Sequence, residues 1–131
     1  MEEVKIPKHG TICWRELATN DSEKAREFYQ KLFGWNLEQS KNTEIDYKEI
    51  GLDDKAFGGV IQMTKEWGDP PPPSHWMTYI AVDNVDDSVK KIKEMGGIVC
   101  VEPFDAPGVG RMSVANDPAG ATFSLITFKS E

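Results

Sequence analysis

The chain of 131 residues is poor in basic residues: 15 Lys and Arg face 22 Asp and Glu, a net charge of −7. A nucleic-acid binder carries a basic footprint, and the short run Lys90–Lys93 is diluted by neighbouring acids. No apolar run approaches the ~18 residues a membrane span needs. The first residues, MEEVKIPKHG, lack the basic-then-apolar layout of a signal peptide. Cysteine is also scarce. Cys13 and Cys100 each sit in an apolar run outside any CxxC spacing; the pair could form one disulfide, but two buried thiols in a cytoplasmic protein are expected. Histidine is limited to His9 and His75, so neither a Ser-His-Asp set nor a Cys-His pair can be read from the chain. The acidic balance predicts a solvated surface, with attraction of a cationic ligand as the alternative.

What the chain does have is a strand-and-helix unit that returns. Ile12–Ala18 is apolar enough for a buried strand, with Trp14 and Glu16 on one face and Cys13, Arg15 and Leu17 on the other. Asn20 or Asp21 can cap the helix that follows. Ala25, Phe28, Tyr29, Leu32 and Phe33 repeat with helical spacing and form one apolar face. Gly34 ends the helix. Strands are expected at 35–39, 45–50 and 60–64, with a turn at KNTE (41–44) and a loop at GLDDKAFGG (51–59).

Four prolines, Pro70–Pro73, cannot continue a helix or a central strand and predict a stiff connector. Beyond them the order recurs. A strand is expected at 75–82, with His75, Met77, Tyr79 and Ala81 on one face. A helix capped by Asp83 or Asn84 carries the stripe Val85, Val89 and Ile92 and stops at Gly96–Gly97. Strands follow at 98–101, 111–115 and 121–128. Leu17, Ala18 and Gly34 align at one constant spacing with Ile80, Ala81 and Gly97, which favours a true duplication.

The expected fold is therefore α+β: two βαβββ modules, residues 10–65 and 74–128, joined by a proline-rich linker at 68–73 within a single domain over 1–131. One helix covers one face of each module's sheet. Two modules side by side would make a curved mixed sheet with the helices outside and a concave cleft, the natural place for a ligand.

These motifs resemble the vicinal oxygen chelate superfamily of glyoxalase I, bleomycin-resistance proteins and extradiol dioxygenases. The resemblance rests on CWRELATND, AREFYQKLFGW, GGVIQM, HWMTYIAVDNVDD, EMGG, PGVGRMSVANDPAG and ATFSLI, and runs from about Gly10 to Phe128. It implies the duplicated fold strongly and a particular reaction weakly, because many chemistries share this fold. It also implies four cleft positions for His or Glu metal ligands. These fall on Trp14, Gln62, Met77 and Ser124, none of them a His or a carboxylate, so no metal cofactor is expected. A shift of two residues along a strand would bring His75 or Glu16 into play.

The cleft is expected to carry Trp14, Glu16, Gln62, Met77, Tyr79 and Ser124. Strand alternation adds Tyr47 or Glu49 and a residue of 111–114, with Arg111 as the candidate. Aromatic and thioether groups offer apolar contact, and the polar groups would orient a ligand. Glu16 is the candidate acid or base, since burial would raise its pKa; an ion pair with Arg111 is the structural alternative. Three functions stay open: a binder of a small organic molecule without the family metal, a glyoxalase-like lyase or isomerase that is metal-assisted or uses Glu16, and a non-catalytic dimeric interaction module. A homodimer is expected, with neither nucleic acid nor membrane as partner.

Overall fold

The computed structural model describes residues 6–41, 45–106 and 109–128. Residues 1–5 of the lead-in, 42–44 of the KNTE turn, and Pro107 and Gly108 of the PGVGR motif lie outside the described residues. The elements run β1 (Ile12–Thr19), α1 (Ser22–Phe33), β2 (Asn36–Gln39), β3 (Tyr47–Leu52), β4 (Lys55–Gln62), β5 (His75–Ala81), α2 (Val85–Glu94), β6 (Ile98–Ala106), β7 (Gly110–Asn116) and β8 (Thr122–Phe128). This is the βαβββ order, twice. The class is α+β: the described residues form eight strands and two α-helices, with one 3-10 turn at Lys65–Trp67. No helix among the described residues is long and apolar enough to cross a membrane.

The chain divides into two compact units, Trp14–Met77 and Met1–Cys13 with Thr78–Glu131. In the first, the strand order is β2-β3-β4-β1. β1 runs parallel to β4, and the other two ladders are antiparallel. In the second, the order is β5-β8-β7-β6, again with one parallel ladder, β5 on β8.

Each helix starts where its cap dictates. The Asp21 carboxylate accepts from the Lys24 amide, and the Asn84 side chain accepts from the Asp87 amide. Gly34 closes α1 in the left-handed region at φ 75°. Beneath α1, Leu17, Leu37, Ile50 and Val60 form the core of the first unit, with Ala25, Tyr29 and Trp35 against them. Beneath α2, Val85, Val89, Ala115 and Leu125 form that of the second.

Three expectations need correcting. The apolar stripe of α1 is not all core: Ala25 and Tyr29 pack on the sheet, while Phe28, Leu32 and Phe33 are exposed. The stripe spans a wider arc than the sheet beneath it covers. The expected loop at 51–59 is a tight hairpin, and β4 starts at Lys55. Asp53 and Asp54 both hold positive φ, 51° and 64°, which a two-residue turn between twisted strands requires. β6 also continues through Pro103 to Ala106, because an edge strand tolerates a residue without an amide hydrogen.

Candidate functional site

Strand pleating sorts the side chains of the first unit. Leu17 and Val60 are register partners on the α1 side, so Trp14 and Glu16 project from the opposite face of β1. Tyr47 and Glu49 do the same from β3, whose Ile50 joins the core. Gly59 stands in register with Glu16 on one flank and Glu49 on the other.

On that face three expected site residues come together. The Trp14 indole Nε1–H donates to the Tyr47 hydroxyl at 3.0 Å. The Tyr47 hydroxyl in turn bonds the Glu16 side chain. Glu16 is only 7% exposed, unusual for a carboxylate. Burial pushes the Tyr47 phenol well above its ordinary value of 10.0, and the charges of Glu16 and Glu49 push the same way against the Trp14 bond. The phenol therefore serves as a hydrogen-bonding group and stays protonated through the physiological range.

Gly59 makes this possible. A Cβ there would fall on the hydroxyl and ring of Tyr47, so the tyrosine lies across the strand where only a glycine lets it pass. Gly59 was absent from the expected site. The Gly58–Gly59 doublet in β4 was the visible signal, since glycine inside a strand marks a close approach.

In the second unit, Tyr79 of β5 and Ser124 of β8 are register partners, both buried, on the face away from α2. Among the described residues, the Ser124 hydroxyl has no hydrogen-bond partner. Met77, two residues before Tyr79, is buried.

Two expected residues face the other way. Gln62 is the register partner of Thr19, on the helix side. Its carboxamide oxygen accepts from the Ser22 amide at 2.9 Å, and its nitrogen donates to the Met63 carbonyl. It serves the start of α1. Arg111 is held by Asp86 of α2 at 2.7 and 3.1 Å and by Asp105 of β6 at 3.1 Å. The expected pairing with Glu16 is replaced by this pairing, because strand alternation turns Arg111 toward the helix with Ala115.

His75 is tied to its own segment, with Nδ1 2.7 Å from the Pro73 carbonyl. Among the described residues no three His, Cys, Asp or Glu side chains gather where a metal could be shared. Cys13 and Cys100 are not joined in a disulfide, and the expected burial of both thiols needs correcting: Cys100 is exposed, and Cys13 is half-buried with its thiol donating to the Tyr79 carbonyl at 3.6 Å.

Known proteins share both the fold and the sequence pattern. CFP32 of Mycobacterium bovis, a protein carrying a glyoxylase name, is 36% identical over 125 residues, which cover 92% of this chain and 45% of that protein. The chain thus spans about half the length of this relative. A Vibrio cholerae protein named as a probable lactoylglutathione lyase is 32% identical over 120 residues, covering 86% of this chain and 87% of that one. Among solved structures, a Streptomyces coelicolor methylmalonyl-CoA epimerase variant superposes with a TM-score of 0.63 at 17% identity, over 94% of this chain and 100% of the other. At that identity the likeness is one of fold. With residues 11–125 matching it as well, the chain belongs to the Glyoxalase/Bleomycin resistance protein/Dioxygenase superfamily.

Proposed function

We propose that the protein binds a small organic molecule without the metal site that the family resemblance implies, with Trp14, Glu16 and Tyr47 as contacts. The observation that carries this reading is the hydrogen-bonded row of indole, phenol and shielded carboxylate on the face of β1 and β3 opposite α1. Such a set offers flat apolar surface beside a few oriented polar groups, the usual composition of a small-molecule site.

The residues at the family's metal positions do not suit a divalent cation. Trp14 offers an N–H that Tyr47 already takes. The Gln62 oxygen is engaged by Ser22. Met77 brings a thioether and Ser124 a neutral hydroxyl, where such sites use imidazole, thiolate or carboxylate. Cysteines that are not joined in a disulfide fit a cytoplasmic setting.

A second reading is a lyase or isomerase in which Glu16 moves a proton. The Glu16–Tyr47 hydrogen bond favours it, because it fixes the carboxylate's orientation.

One titration series separates the readings. The probes are the hemithioacetal of methylglyoxal with glutathione and a panel of aromatic amines and aromatic carboxylates, each with EDTA-treated protein. Binding should be saturable without metal, should raise thermal stability by about 2.7 kcal/mol at a hundredfold excess over Kd, and should weaken at least tenfold in Trp14→Ala. Binding that appears only after zinc or nickel is added sinks the metal-free reading. Turnover of the hemithioacetal that Glu16→Gln abolishes, with binding retained, selects the catalytic reading.

A further inference from the structure

The first unit carries an apolar surface that the ligand reading leaves unused. On α1, Phe28, Leu32 and Phe33 are each more than half exposed, and beside them Trp76 of β5 and Phe57 of β4 are more than a third exposed. They form one patch. Tyr29 lies at its centre, with its ring centroid 5.1 Å from Phe28, 5.5 Å from Trp35 and 5.5 Å from Trp76. Trp35 touches Phe33 at 4.9 Å and Phe57 at 5.1 Å. The Trp76 indole N–H donates to the Tyr29 hydroxyl at 3.3 Å, so the polar atoms of these rings are turned inward upon each other.

We propose that this patch is the contact face of a two-fold homodimer, in which α1 packs antiparallel against α1 of a second copy. Size is the first argument. Large aromatic side chains bury about 150–250 Å² each, so the four aromatic ones, roughly half exposed, present with Leu32 on the order of 450 Å² of apolar surface. An interface is only about 57% non-polar, which scales that patch to roughly 800 Å² per partner, the area of a standard stable interface.

Charge is the second argument. Glu27 and Lys31 are exposed, one residue before Phe28 and Leu32. They border the patch with opposite signs, four residues apart. An antiparallel two-fold pairing sets Glu27 of one copy toward Lys31 of the other, twice. A two-fold contact must be self-complementary in this way, each residue meeting its counterpart in reverse. A parallel pairing would set like charges together.

The test is sedimentation equilibrium of the full chain across micromolar concentrations. The unaltered protein is expected as a dimer. Phe28→Lys with Leu32→Glu should give a monomer with unchanged far-ultraviolet circular dichroism. Glu27→Lys alone should weaken the dimer at least fivefold by placing like charges together, and Glu27→Lys with Lys31→Glu should restore it. A monomeric unaltered chain at these concentrations overturns the proposal, whatever else occupies the patch. A dimer indifferent to both the apolar and the charge variants overturns it as well. Neither result depends on a small ligand, so the binding proposal stands or falls separately.

Discussion

The two helices occupy equivalent places in their modules and treat their apolar faces differently. α2 buries Val85 and Val89 against Ala115 and Leu125, and Ile92, the next residue of its stripe, packs partly buried against the same core. α1 offers larger side chains, yet its sole fully buried residue is Ser22, and Phe28, Leu32 and Phe33 stay exposed. One helix is dressed for its own sheet and the other for more than that. Duplication supplies two copies of a βαβββ unit, and the copies have been free to diverge in what they cover.

The largest expected effect tests that contrast directly. Leu125→Ala removes a side chain from the α2 core and should cost about 2–5 kcal/mol in chemical denaturation. Leu32→Ala on α1, measured in dilute protein, should stay within about 0.5 kcal/mol, as for ordinary surface positions. Equal losses at the two sites would mean that the α1 stripe is packed and the contrast false.

A second contrast lies at the helix starts. Each module ties the first turn of its helix to its sheet through one cation. In the first unit Lys48 of β3 meets Asp46 at 2.8 Å, Ser22 Oγ at 3.2 Å and Glu23 at 3.4 Å. In the second, Arg111 of β7 meets Asp86 and Asp105. The Lys48 side chain is 8% exposed and that of Arg111 38%. Lys48→Met should therefore cost about 1.5–3 kcal/mol, the range for hydrogen bonds to charged groups. Arg111→Met should cost clearly less, because an exposed ion pair is largely screened by solvent. Thermal melts of the two variants in low salt measure the difference. A larger loss at Arg111 would show that its two carboxylate partners outweigh burial.

Much of this was legible in the sequence, and what was missed has physical reasons. Caps and stops such as Asp21, Asn84 and Gly34 are local signals, and all three act as expected. The Asp53–Asp54 turn was hidden because hairpin turns are usually marked by glycine or asparagine, and two aspartates read as loop. Strand alternation correctly put Trp14 and Glu16 on one face, but the hydrogen bond from Trp14 to Tyr47 joins residues from separate strands, and no spacing reveals it. Gln62 was drawn toward the cleft by resemblance to the family and Arg111 by an alternation whose phase the sequence leaves open, while pleating turns both to the helices. The α1 stripe shows the limit of periodicity. It identifies which residues share a helix face and not how much of that face the fold covers.

The smallest effect concerns acid. Burial raises the Asp46 carboxyl, but its hydrogen bonds from Lys48 and Ser22 and the Lys48 charge together hold it below its ordinary value of 3.8. Glu23 is held below 4.5, first by its bond to Arg26 and then by the Lys48 charge. Asp86 is held below 3.8, first by its bond to Arg111. A carboxylate with a depressed folded pKa stabilises the fold at every pH above its unfolded value, and that contribution is lost as pH falls through the folded one. Both modules should then lose stability below about pH 4.5, where unfolded carboxylates begin to take up protons. In denaturation series from pH 6 to 3, each variant should flatten its own share of this acid limb: Lys48→Met the part from Asp46 and the lesser part of that from Glu23, whose bond to Arg26 remains, and Arg111→Met the part from Asp86. Salt sharpens the comparison, because screening weakens exposed charges more than shielded ones. Raising it should erase the Arg111-dependent share and leave more of the Lys48-dependent share. If both fade equally, the Lys48 network is as open to solvent as its counterpart, and burial does not distinguish the two helix starts.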